Sequence, residues 1–66
     1  MKIIINGVQK EIGNELTVKS LLDDIKLEPE TVAVELNLAI VPKNEYDTRR
    51  LKEGDKIEII SFVGGG

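Results

Sequence analysis

The chain has 66 residues, 41% hydrophobic and 32% charged, with nine basic against twelve acidic side chains for a net charge of −3. It has neither cysteine nor histidine. That excludes a disulfide framework, a thiolate metal site, a cysteine nucleophile and the side chain most used for proton transfer near neutrality. The acidic balance argues against a surface that tracks phosphates, so no nucleic-acid partner is expected. Its apolar runs are too short for a membrane span or a secretory leader, which makes the cytoplasm the expected location.

In chain order, Met1 to Ile12 reads as a β-hairpin. Lys2-Ile3-Ile4-Ile5 is β-branched, Asn6-Gly7 is a strong signal for a two-residue turn, and Val8 to Ile12 forms the return strand. Thr17 is a good N-cap, with Leu16 and Leu21 placed as a hydrophobic staple. Val18, Leu21, Leu22 and Ile25 then follow the spacing of one apolar helix face, and Pro29 is expected to close the helix region. Val32 to Leu36 alternates, with Val32, Val34 and Leu36 inward and Ala33 and Glu35 outward. A reversal near Asn37-Leu38 leads to the brief strand Ala39-Ile40-Val41, ended by Pro42. Asn44 to Tyr46 suits a single helical or 3-10 turn, Glu53-Gly54-Asp55 a turn, and Lys56 to Val63 the last strand.

One helix among four or five strands makes an α+β domain, a mixed sheet packed on a single main helix. The first and last strands are apolar on both sides and are expected to be central neighbours. The result is a β-grasp arrangement, with a core of the helix face against Ile3, Ile5, Val32, Val34, Ile57 and Ile59. Residues 1–63 form the domain, and residues 64–66 a flexible glycine tail.

If Ile57 and Ile59 face the helix, then Ile60 and Phe62 face away from it, as does Ile4 on the first strand. These three are the candidate partner-binding residues, an apolar group on a face where a sheet covered on one side should be polar. Intrinsic catalytic machinery is absent: the sequence offers no nucleophile–base set, no metal cluster and no phosphate-cradling loop. Asp23 and Asp24 diverge by about 100° on a helix and read as a solvated face. The chain is therefore not expected to be an enzyme.

The remaining reactive group is the carboxylate after Gly64, Gly65 and Gly66. Without Cβ atoms this run is thin, reaches roughly 10 Å when extended, and suits threading into a narrow channel of another protein. A frayed terminus is the competing reading. An ionised terminal carboxylate can attack the α-phosphate of ATP on a partner enzyme, and the acyl-adenylate so formed is open to sulfur or nitrogen nucleophiles.

The residues Met1-Lys2-Ile3-Ile4-Ile5-Asn6-Gly7, Thr17-Val18-Lys19-Ser20-Leu21-Leu22, Val32-Ala33-Val34-Glu35-Leu36-Asn37, Ile40-Val41-Pro42, Glu53-Gly54-Asp55-Lys56-Ile57-Glu58-Ile59 and Phe62-Val63-Gly64-Gly65-Gly66 follow one another along the whole chain. In that order they resemble the ThiS-type sulfur carrier proteins of thiamine biosynthesis, relatives of ubiquitin-like proteins. The resemblance implies a protein substrate whose terminal Gly66 is adenylated by a ThiF-like adenylyltransferase using ATP and magnesium. It also implies that sulfur from a persulfide donor then replaces AMP, and that the resulting thiocarboxylate feeds a ThiG-like thiazole synthase. The chain itself is expected to bind no cofactor and no metal. Alternatives are the small subunit of molybdopterin synthase, another ubiquitin-like modifier and a plain protein-interaction module.

Overall fold

The computed structural model describes residues 1–62. Five strands form one mixed sheet: β1 (Lys2–Ile5), β2 (Val8–Glu11), β3 (Val32–Leu36), β4 (Ala39–Ile40) and β5 (Lys56–Ser61), in the order β2-β1-β5-β3-β4. The two apolar strands β1 and β5 are the expected central neighbours and pair in parallel, Ile4 with Lys56 and Ile5 with Ile57. Every other pairing is antiparallel. The single α-helix, α1 (Val18–Asp24), covers one face. The β-grasp expectation holds.

Each hairpin turn is built from two left-handed residues. Asn6 and Gly7 have φ of 49° and 82°, and Asn37 and Leu38 have 52° and 74°. This geometry matches strand twist and favours asparagine and glycine. Both asparagines also reach sideways to β5. Asn6 Oδ1 accepts the Ile59 N–H at 2.7 Å and Asn6 Nδ2 donates to the Ile59 carbonyl at 3.3 Å. Asn37 Oδ1 accepts the Lys56 N–H at 2.9 Å, and its Nδ2 donates to the buried Asp55 carboxylate at 3.0 Å. Asp55 in turn accepts the Lys52 N–H at 2.7 Å.

The helix begins where Thr17 predicts, with the Ser20 N–H donating to Thr17 Oγ1 at 3.1 Å. The other exposed donors of its first turn go to a loop: Val18 N–H to the Arg49 carbonyl at 3.0 Å and Lys19 N–H to the Tyr46 carbonyl at 2.8 Å. At its far end the helix departs from expectation. It stops at Asp24 rather than running toward Pro29, because Lys26 turns left-handed at φ 62°. Leu27 N–H then bonds the Leu22 carbonyl at 2.9 Å and Lys26 N–H the Asp23 carbonyl at 3.1 Å, the paired bonds of a Schellman end. Pro29 opens the 3-10 turn Pro29–Thr31 instead of closing the helix.

Lysine is a poor occupant of a left-handed position that glycine takes without a Cβ penalty. Lys26→Gly should therefore stabilise the domain by about 0.5 kcal/mol, the Cβ relief exceeding the added freedom of the unfolded chain. A thermal melt checks this, and an unchanged or lowered midpoint would refute it.

The core joins Val18, Leu21 and Leu22 of the helix to Ile3, Val32, Val34, Leu36 and Ile57 of the sheet, with Ile5, Ile25 and Ile59 half-buried against them. Val41, Tyr46 and Leu51 complete it from the long connection between β4 and β5. Burial pushes the Tyr46 hydroxyl above its ordinary pKa of 10.0, opposed in part by a hydrogen bond with the Val34 backbone. Because Tyr46 is the sole tyrosine, tyrosinate absorbance reads this group alone. Its midpoint should lie above the ordinary value. The unfolded chain then ionises first, so stability is unaffected below about pH 10 and falls as pH rises beyond it. A midpoint at or below the ordinary value would show that Tyr46 is open to water.

Candidate functional site

The face of the sheet away from α1 carries the candidate site. Strand alternation puts Ile57 and Ile59 toward the helix and Glu58 and Ile60 outward, and Ile60 and Phe62 are 51% and 62% exposed. Phe62 follows the end of β5, where its N–H donates to the Thr31 carbonyl at 2.9 Å. The expected continuation of the strand to Val63 lies outside the described residues, as do Gly64, Gly65 and Gly66.

The register separates the three residues that the sequence grouped. Ile60 stands opposite Ala33 of β3, whereas Ile4 stands beside Lys56. Ile60 lies four positions beyond Lys56 along the strand, roughly 13 Å at about 3.3 Å per residue. Ile4 is half-buried and lines a different depression with Lys2, Gln9, Glu53 and Gly54. It shares the face with Ile60 and Phe62 but not their cluster, because a parallel neighbour enters β5 at its beginning.

The actual neighbours of Phe62 come from β3 and from the chain around β4. Ala33, Ile40, Val41, Pro42, Lys43 and Phe62 line a shallow depression of about 220 Å3. Ile40 is 71% exposed. The Lys43 ammonium lies over the Phe62 ring, 5.8 Å from its centroid, within the reach of a cation–π contact. Sequence reasoning missed Ala33, Ile40, Pro42 and Lys43. The visible signal was an apolar Ile40 in a two-residue edge strand, where solvent on one side calls for a polar residue.

Beside this cluster, Glu35 of β3 and Glu58 of β5 stand directly opposite one another. Like charges in that relation repel, and the ion pairs among the described residues lie elsewhere: Lys19–Asp23, Arg49–Glu45 and Arg50–Glu15. The face therefore presents apolar side chains next to two adjacent carboxylates. Asp23 belongs to the solvated helix side, held by Lys19 at 2.8 Å, and that hydrogen bond raises the lysine pKa. Among the described residues no group of three or more histidine, cysteine, aspartate or glutamate side chains is placed to hold a metal ion. No helix among them is long and apolar enough to cross a membrane.

Comparison with known proteins agrees with this architecture. The crystal structure of the thiamine biosynthesis protein ThiS from Geobacter metallireducens superposes over the full length of both chains, with a TM-score of 0.86 at 33% identity. The sulfur carrier protein ThiS of Bacillus subtilis is 44% identical over 50 residues, 76% of each chain. A thiazole synthase of Paramagnetospirillum magneticum is 44% identical over all 66 residues, and the present chain spans 20% of its length. The ThiS family model matches residues 3–66, from the first strand through the glycine run. On this evidence the chain belongs to the ThiS family.

Proposed function

We propose that this chain is the sulfur carrier for thiazole formation in thiamine biosynthesis, a protein substrate on which partner enzymes act. The observation that carries the reading is the match of the ThiS family across residues 3–66, which includes the glycines at 64–66. The exposed Ile60 and Phe62, one strand-end away from those glycines, support it.

The chemistry falls to the terminal carboxylate of Gly66. Held in an adenylyltransferase of the ThiF kind, it attacks the α-phosphate of ATP with magnesium present, expelling pyrophosphate and leaving an acyl-adenylate. A persulfide sulfur then displaces AMP, and reductive cleavage of the resulting acyl disulfide leaves a thiocarboxylate. Gly65 and Gly64 make the segment narrow enough to enter the nucleotide site, because a run without Cβ atoms clears walls that side chains would meet. ATP and magnesium belong to the partner, and the carrier supplies no ligand to either.

Ile60 and Phe62, widened to Ala33 and Ile40, form the docking surface for the adenylating partner. Ile4 offers a second contact on the same face. The paired Glu35 and Glu58 would be relieved by a basic side chain of the partner. A thiazole synthase that contains a segment like this chain supports a ThiG-like enzyme as the sulfur acceptor, since residence in one polypeptide raises the effective concentration of the two parts. The relatives named for thiamine biosynthesis favour this reading over a molybdopterin synthase subunit.

Intact mass after incubation with the adenylyltransferase, ATP, magnesium, reductant and a persulfide donor tests the proposal. A gain of about 16 Da, one oxygen exchanged for sulfur, is expected. An unchanged mass with a competent partner would overturn the carrier role.

A further inference from the structure

Asn6-Gly7 is the only asparagine–glycine pair in the chain; Asn14, Asn37 and Asn44 are followed by glutamate, leucine and glutamate. A glycine after asparagine leaves the next backbone nitrogen without a neighbouring side chain, so it can reach the asparagine amide carbon. Here the pair sits in an exposed turn, and an added Cβ at Gly7 would meet nothing within 4 Å. The surroundings of Gly7 are thus open to solvent and base.

The same asparagine is structurally committed. Its side chain takes the place of a further residue of β1 against β5, accepting from Ile59 N–H at 2.7 Å and donating to the Ile59 carbonyl at 3.3 Å. The Asn6 backbone N–H adds a bond to the Ile57 carbonyl at 2.8 Å. β1 ends at Ile5, so Asn6 carries the contact between β1 and β5 beyond Ile57.

We propose that Asn6 is a deamidation site and that its modification opens this clasp on the last strand. The Gly7 nitrogen attacks Asn6 Cγ, the N–Cγ bond forms, and the side-chain amide leaves as ammonia after taking up the nitrogen's proton. Water then opens the succinimide to aspartate or isoaspartate, with no oxidant or reductant required. The intact clasp restrains the reaction, because both polar atoms of the amide are engaged with Ile59 and their bonds oppose rotation of the side chain toward Gly7. Once the reaction has occurred, the two-bond clasp does not return, although an aspartate can still accept the Ile59 N–H. Aspartate has no donor for the Ile59 carbonyl, and isoaspartate routes the backbone through the former side chain and shortens the group that reached Ile59. This makes the first turn a one-way chemical lesion that acts on the strand preceding the glycine run.

The test is to age the purified protein in mildly alkaline buffer, with and without urea below the unfolding transition, and to map mass by peptide. The expected result is a gain of about 1 Da, ammonia lost and water gained, on the peptide holding Asn6, faster in urea. Asn14, Asn37 and Asn44 should remain intact over that time. In the separated isoaspartate form the Ile59 amide should exchange its hydrogen roughly tenfold faster than in the intact form. Asn6→Gly, which keeps the left-handed turn but removes the side chain, should show the same fast exchange at Ile59 and no mass gain. Equal modification at the other asparagines, a rate indifferent to urea, or unchanged Ile59 exchange in the isoaspartate form would overturn the proposal.

Discussion

Phe62→Glu should leave the domain folded and weaken binding of the adenylating partner by on the order of 2 kcal/mol or more. Fold and binding separate here because Phe62 is 62% exposed and lies beyond the last residue of β5. Its ring meets the Lys43 ammonium and the edge of the depression beside Ala33 and Ile40, while the core on the other face is built without it. A glutamate there keeps the backbone bond from residue 62 to the Thr31 carbonyl, since that bond uses only the main chain. It also places a third carboxylate on a face that already opposes Glu35 to Glu58. In a desolvated interface the burial of the new charge is what costs affinity, and the neighbouring Lys43 ammonium offsets that cost only in part. Titrations beside a thermal melt read the two effects separately. A collapsed melting transition would assign Phe62 to the core, and unchanged affinity would make the apolar cluster incidental to docking.

The larger effect is expected at Gly66. Gly66→Ala should reduce formation of the adenylate by at least about a hundredfold, roughly 2.7 kcal/mol on the barrier. The added methyl group lies on the carbon next to the carboxyl group and crowds it both when it attacks the nucleotide and when sulfur attacks it in turn. No effect on folding is expected, because Gly66 has no side chain to pack and the described core residues lie within 1–62. Pyrophosphate release with saturating partner and ATP is the measurement. Turnover within a few-fold of the natural chain would sink the assignment of Gly66 as the activated residue. Deleting Gly65 and Gly66 sharpens the contrast, since a plain interaction module would keep its affinity and its function without them.

Much of this protein was readable from local chemistry. Asn6-Gly7, the Thr17 cap, the alternation from Val32 to Leu36 and the turn at Glu53-Gly54 act through the nearest few residues, and each produced its expected element. The central place of β1 and β5 followed from apolar residues on both sides of each strand, and the ThiS resemblance from the order of all these segments. Tertiary structure alone decided what depended on register and on distant partners. Ile4 was set apart from Ile60 because parallel pairing matches Ile4 to Lys56, and alternation within a strand says which face a residue takes but not its height on the neighbouring strand. The early end of α1 came from Lys26 adopting a left-handed turn, which lysine does not favour on its own and which the packing of Leu27 against the core holds in place. Tyr46 and Leu51 joined the core from a segment with no periodic pattern, since it docks its carbonyls on the first turn of the helix. The clasps of Asn6 and Asn37 on β5 span gaps of 53 and 19 residues. A side chain that completes a distant strand's hydrogen bonding leaves no local trace, so only the assembled sheet reveals it.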